Sequence, residues 1–141
     1  MLAVAVCFVT LAIAFDLKTD RIPNALNLTG LTAGLLTAFM RAGPNGLFVN
    51  IGATLLMFAT GFVLYLLHAI RGGDGKMLCV MAAMYGNFGG FYILFLSLLI
   101  GSVMGLPRFV KRKKGERTGI HYSIPIALGM IWYLVYNGGG R

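Results

Sequence analysis

The sequence predicts an all-α, polytopic membrane protein with six transmembrane helices. Hydrophobic residues make up 58% of the 141-residue chain and charged residues only 11%, and the mean hydropathy is +0.82. A soluble domain of this length would need far more polar surface. Several apolar runs approach the roughly 20 residues that cross a bilayer as a helix. The chain therefore has room for little beyond its helices and short loops.

The predicted helices follow one another through a single transmembrane domain, residues 1–141. Their approximate limits are 1–15, 25–40, 47–70, 75–88, 91–106 and 120–136. The first helix lacks the basic start and the small-residue cleavage site of a secretion signal, so we interpret it as a retained helix.

Polar and turn-forming residues separate the first three helices. Helix one ends at Asp16, where a polar loop begins. Near the end of this loop, Pro23 disfavours a helical conformation at Ile22 and gives the loop an extended exit. Residues 41–46, which include a Gly-Pro pair, have the composition of a turn.

The apolar region 77–106 is too long for one transmembrane helix. Its 30 residues would form a helix about 45 Å long at ~1.5 Å per residue, whereas the hydrocarbon core is ~30 Å thick. The sequence Gly-Asn-Phe-Gly-Gly at residues 86–90 supplies a break. We therefore predict a short fourth helix before it and a fifth helix after it.

The distribution of basic residues predicts the orientation. Ten of the twelve Lys and Arg residues fall in the first, third and fifth loops, and only Arg41 and Arg141 fall on the other side. Because Lys and Arg accumulate in cytoplasmic loops, both termini are expected on the non-cytoplasmic side. The run from Lys111 to Lys114 is expected to meet anionic lipid headgroups. Bilayer topology thus accounts for the net charge of +8, and no nucleic-acid partner is predicted.

Two of the four acidic residues are candidate catalytic groups. By the predicted topology, Asp16 closes helix one and Asp74 opens helix four at the same face of the membrane. Two carboxylates at one depth can share a proton and activate a water molecule between them, which is the chemistry of aspartic proteases. The positive N-terminal end of a helix favours a carboxylate, whereas the negative C-terminal end disfavours one. Asp74 is therefore predicted as the base and Asp16 as the acid.

A simpler interpretation is that both residues are ordinary helix-end residues, with Asp74 as an N-cap. The residues themselves leave these two interpretations open. Asp20, the competing acidic residue of the first loop, lies beside Arg21, where a solvated charge needs no special role.

The two aspartates also carry a family resemblance. Asp16 is followed after five residues by the sequence Ile-Pro-Asn, and Gly-Asp-x-Lys at residues 73–76 leads into an apolar helix. This arrangement resembles the type IV prepilin peptidases, which are GxGD-class intramembrane aspartic proteases. The resemblance spans nearly the whole chain and extends, more loosely, to the Tyr-Ser-Ile-Pro sequence of residues 122–125 and to Gly129.

The resemblance implies a set of site residues. Asp16 and Asp74 would form the catalytic pair. Substrate binding or active-site support would come from Ile22, Pro23, Asn24, Gly72, Gly73 and Lys76. Arg71 stands where the strict GxGD pattern has its first glycine, and the extra glycine lies at Gly72. No cofactor is implied, and no metal site is predicted because no two His, Cys or acidic residues have the spacing of metal ligands.

The resemblance also implies a substrate and a location. The substrate would be a pilin or pilin-like precursor, cleaved after its short basic leader at the cytoplasmic face of the inner membrane. Long family members carry a cysteine-rich insert linked to N-methylation, for which this chain has no room. The chain resembles the short forms that serve tight-adherence (Flp) pili, so we expect a peptidase without methyltransferase activity.

Two other functions fit part of the pattern. One is an archaeal-type preflagellin peptidase, and the other is a non-enzymatic polytopic protein such as a small transporter or a pilus-assembly subunit. A transporter is expected to carry polar residues at mid-membrane depth, whereas the acidic residues here lie at helix ends. His68 and His121 lie near the predicted site, and we interpret them as interfacial residues with local partners.

Overall fold

The regular structure is entirely α-helical in the residues that the structure, a computed structural model, describes: 2–19, 22–68, 70–110 and 123–137. The helices are α1 (Leu2–Thr19), α2 (Asn24–Leu66), α3 (Gly72–Val110) and α4 (Ser123–Tyr136). The predicted all-α class is therefore confirmed. The number of membrane crossings and the orientation of the termini stay predictions.

Helix α2 is broken in the predicted turn region. Ala42 and Gly43 have non-helical dihedral angles, and Gly43 has a φ of 61°, which glycine tolerates because it has no Cβ. Pro44 follows directly and begins the next helical segment, a position where the missing N–H of proline loses no hydrogen bond. The break therefore divides α2 into segments 24–41 and 44–66, with a shorter connection than the six residues predicted.

Helix α3 is broken at Gly86, which has a φ of 72° and a ψ of −169°. The predicted break in residues 86–90 thus lies at its first residue, and the helix resumes at once. A helix end leaves its last carbonyl groups without helical partners. The side-chain amide of Asn50 donates to one of them, the carbonyl of Ala83, at 2.8 Å.

Contacts to segment 72–85 show that the chain reverses at each break. Gly30 lies beside Val80 and Gly34 beside Met84, so segment 24–41 runs parallel to segment 72–85. Segment 44–66 runs antiparallel to it. Two contacts with that segment show this: Asn50 with Ala83, and Gly61 with Gly75.

The last two segments continue this alternation. Gly90 packs against Ala82, so the chain turns back on itself at Gly86. Gly129 of α4 packs against Ile93, and the ring of Tyr133 makes an edge contact with that of Tyr85. Helix α4 therefore runs antiparallel to segment 87–110, and its first residue lies at the same end of the bundle as the start of α3.

Segment 72–85 is the centre of the bundle. Its residues from 77 to 84 are all buried, with exposed fractions of 8% or less. Large apolar side chains are exposed on the surrounding helices, as at Phe48 and Leu55 of α2. A helix enclosed on all sides holds the residues at its start in a fixed position, and Asp74 is one of them.

Several predicted helix limits are wrong. Helix α1 continues to Thr19, whose hydroxyl donates to the carbonyl of Phe15 at 2.8 Å, so Asp16 lies in its last turn and not after it. Helix α2 ends at Leu66, four residues before the predicted limit, and His68 has a φ of 57°. This left-handed conformation cannot continue a right-handed helix. The predicted start of helix six, at about residue 120, lies outside the described residues.

In the described residues, one helix is long and apolar enough to cross a membrane by length and composition. This is Asn24–Leu66, with a mean hydropathy of 2.0 over its best window, and Phe88–Met104 and Ser123–Tyr136 are shorter apolar helices. The break at residues 42–43 divides the long helix into segments of about 27 and 35 Å at ~1.5 Å per residue. Each segment is comparable to the ~30 Å hydrocarbon core.

Candidate active site

Asp16 is presented by the last turn of α1 and is almost completely buried, with 3% of its surface exposed. The hydroxyl of Ser123, the first residue of α4, donates a hydrogen bond to its Oδ2 at 2.5 Å. Ser123 is itself fully buried. A buried carboxylate is destabilising unless it is paired or hydrogen-bonded, so this bond between the first and last helices helps to hold Asp16 in place.

Asp74 is presented by the first turn of α3 and is 2% exposed. The backbone N–H of Arg71 donates to its Oδ2 at 3.3 Å, and the backbone N–H of Asp74 donates to the carbonyl of Arg71 at 3.1 Å. The positive end of the α3 dipole favours negative charge at this position. Because Arg71 contacts Asp74 through its backbone, the departure from the glycine pattern keeps this hydrogen bond.

The two carboxylates line one cavity. It has a volume of about 450 Å³ and is lined by Asp16, Ile22, Pro23, Asn24, Arg71, Gly73, Asp74 and Lys76. The structure thus brings together the two aspartates that the sequence analysis selected, from elements 58 residues apart in the chain. A cavity with two acidic groups on its wall has room for water and for part of a substrate.

The Ile-Pro-Asn stretch forms another part of the cavity wall. Ile22 is buried beside Gly73, where a Cβ atom would lie 3.8 Å from that of Ile22. Pro23 directly precedes α2, and its carbonyl accepts a hydrogen bond from the N–H of Asn27. This stretch therefore fixes the start of α2 against the start of α3.

Lys76 joins the same two helices through its side chain. Its ammonium group donates to the side-chain oxygen of Asn24 at 2.6 Å. Gly72 is the one predicted support residue that does not line the cavity. It faces Tyr65 and lines a neighbouring apolar cavity of about 230 Å³.

The contact of Ser123 with Asp16 was not predicted from the sequence. The Tyr-Ser-Ile-Pro sequence was selected only for its resemblance to a family helix. The available signal was a small polar residue near the start of the last predicted helix, at the end of the bundle where both aspartates were expected. Which residue it contacts depends on how α4 packs against α1, and no local pattern records that.

The remaining selected residues lie elsewhere. His68 is exposed in the turn after α2 and does not line the cavity. Asp20, Arg21, His121 and the run from Lys111 to Lys114 lie outside the described residues. Within the described part of the chain, no group of three or more His, Cys, Asp or Glu residues could hold a metal ion.

Residues 3–106 match the type IV leader peptidase family. The chain belongs to this family. The match contains both aspartates and every predicted support residue, whereas Ser123 lies beyond it. It confirms the resemblance drawn from the two motifs and indicates a protease. Together with the apolar helices, it also indicates a membrane protein. Comparisons with curated proteins and with solved structures found no match.

Proposed function

We propose that the protein is an aspartic endopeptidase of the membrane that removes the leader peptides of type IV prepilins. The observation that carries this proposal is the cavity shared by Asp16 and Asp74, in a chain of the type IV leader peptidase family. Both carboxylates are buried and come from facing helix ends. A pair of this kind supplies the base and the acid that peptide hydrolysis needs.

In the proposed mechanism, Asp74 is the base and Asp16 the acid. Asp74 takes a proton from a water molecule as the water oxygen bonds to the scissile carbonyl carbon. Protonated Asp16 gives its proton to the carbonyl oxygen, which forms a tetrahedral diol. The diol then collapses: Asp16 takes back a proton from one of the diol hydroxyls, the C–N bond breaks, and the leaving nitrogen takes a proton from Asp74, which restores both residues to their starting states. The positions of the two residues, at a helix N-terminus and in a last helical turn, support this division of roles.

The proposed substrate is the precursor of a pilin of the tight-adherence (Flp) type, cut at the cytoplasmic face of the inner membrane. The basic residues of the odd-numbered loops support the cytoplasmic location of the site. The basic run from Lys111 to Lys114 would meet anionic headgroups at the same face. The short connection between α1 and α2 supports a peptidase without the methyltransferase insert.

Co-expression with candidate prepilins tests this function. The full chain is expressed with one epitope-tagged prepilin at a time, and leader loss is measured as a shift in gel mobility. We expect leader loss with at least one Flp-type prepilin, and none when Asp74→Asn replaces the wild type. A preflagellin run in parallel tests the archaeal-type alternative. If the folded wild-type protein cleaves no precursor, the proposed function is wrong.

A further inference from the structure

A second cavity opens on the side of the bundle, between α2 and the start of α3. We call it the side groove, and its volume is about 410 Å³. It is lined by Asn24, Asn27, Leu28, Leu31, Thr54, Leu55, Phe58, Lys76, Cys79 and Val80. This volume falls in the range of small-ligand pockets, which is about 300–1,000 Å³. Because most of the lining is apolar, an occupant must present mainly apolar groups.

The side groove adjoins the cavity of the aspartates. Asn24 and Lys76 line both spaces, and the hydrogen bond between their side chains lies where the two spaces meet. A polypeptide bound in the aspartate cavity would reach the side groove by passing the Asn24–Lys76 pair.

Asn27 is the unusual residue of the side groove. It is 6% exposed, and neither its side-chain nitrogen nor its side-chain oxygen has a hydrogen-bond partner among the described residues. The two other polar side chains that α2 contributes to the lining are paired: Thr54 donates to the carbonyl of Asn50, and the side-chain oxygen of Asn24 accepts from Lys76. Buried polar groups in proteins are nearly always hydrogen-bonded. An unpaired carboxamide beside a groove therefore indicates a ligand with both a donor and an acceptor.

We propose that the side groove binds the apolar, extended stretch of substrate next to the scissile bond, and that Asn27 hydrogen-bonds one of its backbone peptide groups. This inference rests on the proposed peptidase function. A peptide bond must leave any helix before a protease can reach its carbonyl, and the freed N–H and C=O groups need partners where water is excluded. A carboxamide offers the matching acceptor and donor. A lipid acyl chain would fill the groove but leave Asn27 unpaired.

The spacing along α2 fits this occupant. Asn27 follows Asn24 by three residues, which places it about 4.5 Å further along the helix axis at ~1.5 Å per residue. An extended chain advances about 3.3 Å per residue. The peptide group bound by Asn27 is therefore one or two residues beyond the edge of the aspartate cavity.

Kinetics and stability of Asn27→Leu test the role of the carboxamide. We expect kcat/KM for prepilin leader removal to fall roughly tenfold, the factor that corresponds to about 1.4 kcal/mol. The Tm should stay the same or rise, because the substitution removes a buried unpaired polar group. Asn50→Leu is the matched control, since it removes an amide that is already bonded to Ala83, and we expect it to lower the Tm.

The outcomes separate this inference from the function on which it rests. If Asn27→Leu cleaves as the wild type does, the inference is wrong and the proposed function stands. If its Tm and its kcat/KM fall together, Asn27 serves the fold, and the inference is again wrong. If the wild type cleaves no prepilin, both fail.

Photocrosslinking identifies the occupant of the groove directly. In the Asp74→Asn protein, p-benzoylphenylalanine replaces either Leu28, which lines the groove, or Leu36, which lies on the same helix outside it. The two leucines are 62% and 59% exposed, so they are matched in accessibility. We expect adducts with the tagged prepilin from position 28 and not from position 36. Lipid adducts alone at position 28 would overturn the inference.

Discussion

The burial of Asp16 and Asp74 on one cavity makes a specific prediction for substitutions of each. If the two act as one unit, Asp16→Asn and Asp74→Asn should each reduce leader removal by roughly 10²–10⁴-fold or more, the range for a lost general acid or base. The double variant should be no worse than either single variant, because groups that act as a unit are not additive. Gel-shift kinetics with a co-expressed prepilin measure these rates.

Asp20→Asn is the control for this pair, since it removes the neighbouring acidic residue of the first loop. It should keep most of the wild-type rate. Full activity in either Asp16→Asn or Asp74→Asn would exclude the aspartic mechanism.

Ser123 leads to a second prediction at the scale of single residues. Its hydroxyl donates to Asp16 inside the protein, and leaving a buried acceptor without its hydrogen-bond partner costs about 1–3 kcal/mol. Ser123→Ala should therefore lower kcat/KM by about tenfold, the factor for 1.4 kcal/mol. Steady-state kinetics of the purified protein provide the measurement.

Ser97→Ala is the matched control for Ser123→Ala. Ser97 is equally buried, but its hydroxyl donates to the carbonyl of Leu94 in its own helix. It should leave kcat/KM unchanged. Equal losses in the two variants would mean that the Ser123 effect comes from packing and not from its contact with Asp16.

At the scale of the helices, two glycines predict opposite responses to alanine. A Cβ atom at Gly90 would lie 2.9 Å from the backbone of Ala82, so segments 72–85 and 87–110 would have to separate. Such overpacking typically costs about 1–3 kcal/mol. A Cβ at Gly61 would lie 3.5 Å from Gly75, an ordinary contact, and alanine in a helix is favoured over glycine by up to about 1 kcal/mol.

Thermal unfolding in detergent measures this difference. Gly90→Ala should lower the Tm, whereas Gly61→Ala should leave it unchanged or raise it. The same Tm for both variants would contradict the close approach of the helices at Gly90.

The helix breaks could be predicted from sequence, and some helix ends could not. Gly43 and Gly86 both adopt positive φ values, and glycine is the residue that does so without strain. The glycine-rich composition of these two stretches was therefore sufficient to predict the breaks. His68 also has a positive φ, but histidine does so rarely. No local signal in the sequence therefore predicted that the third helix, which is the second segment of α2, ends at Leu66. Polarity also placed the end of α1 too early, because a helix can continue past a buried aspartate that has a hydrogen-bond partner.

The candidate site likewise has some features with a local sequence signal and others that depend on packing. Asp16 and Asp74 were predictable because acidic residues are rare in this chain and both lie at predicted helix ends. The bond from Ser123 to Asp16 joins residues 107 positions apart, and the unpaired amide of Asn27 is a property of the packed bundle. Neither can be read from local periodicity, since both depend on which helices become neighbours.

At the scale of the whole molecule, the alternating direction of the helical segments predicts which connections share a face. The chain reverses at residues 42–43 and at Gly86, and these reversals lie at the opposite end of the bundle from Asp16 and Asp74. If the bundle crosses the membrane, both reversals must lie on the side away from the aspartates. The concentration of Lys and Arg in the odd-numbered loops predicts that the aspartate side faces the cytoplasm.

Reporter fusions test this orientation. The chain is truncated after Pro44 or after Lys114, which lies outside the described residues, and each truncation is fused to alkaline phosphatase or to green fluorescent protein. Phosphatase is active only outside the cytoplasm, so we expect activity after Pro44 and fluorescence after Lys114. Because an even number of crossings separates Lys114 from the aspartate end of the bundle, a cytoplasmic signal there would also place the cavity of the aspartates at the cytoplasmic face. The same side for both fusions would mean that the chain does not cross the membrane at every segment, and that the two aspartates need not face the cytoplasm.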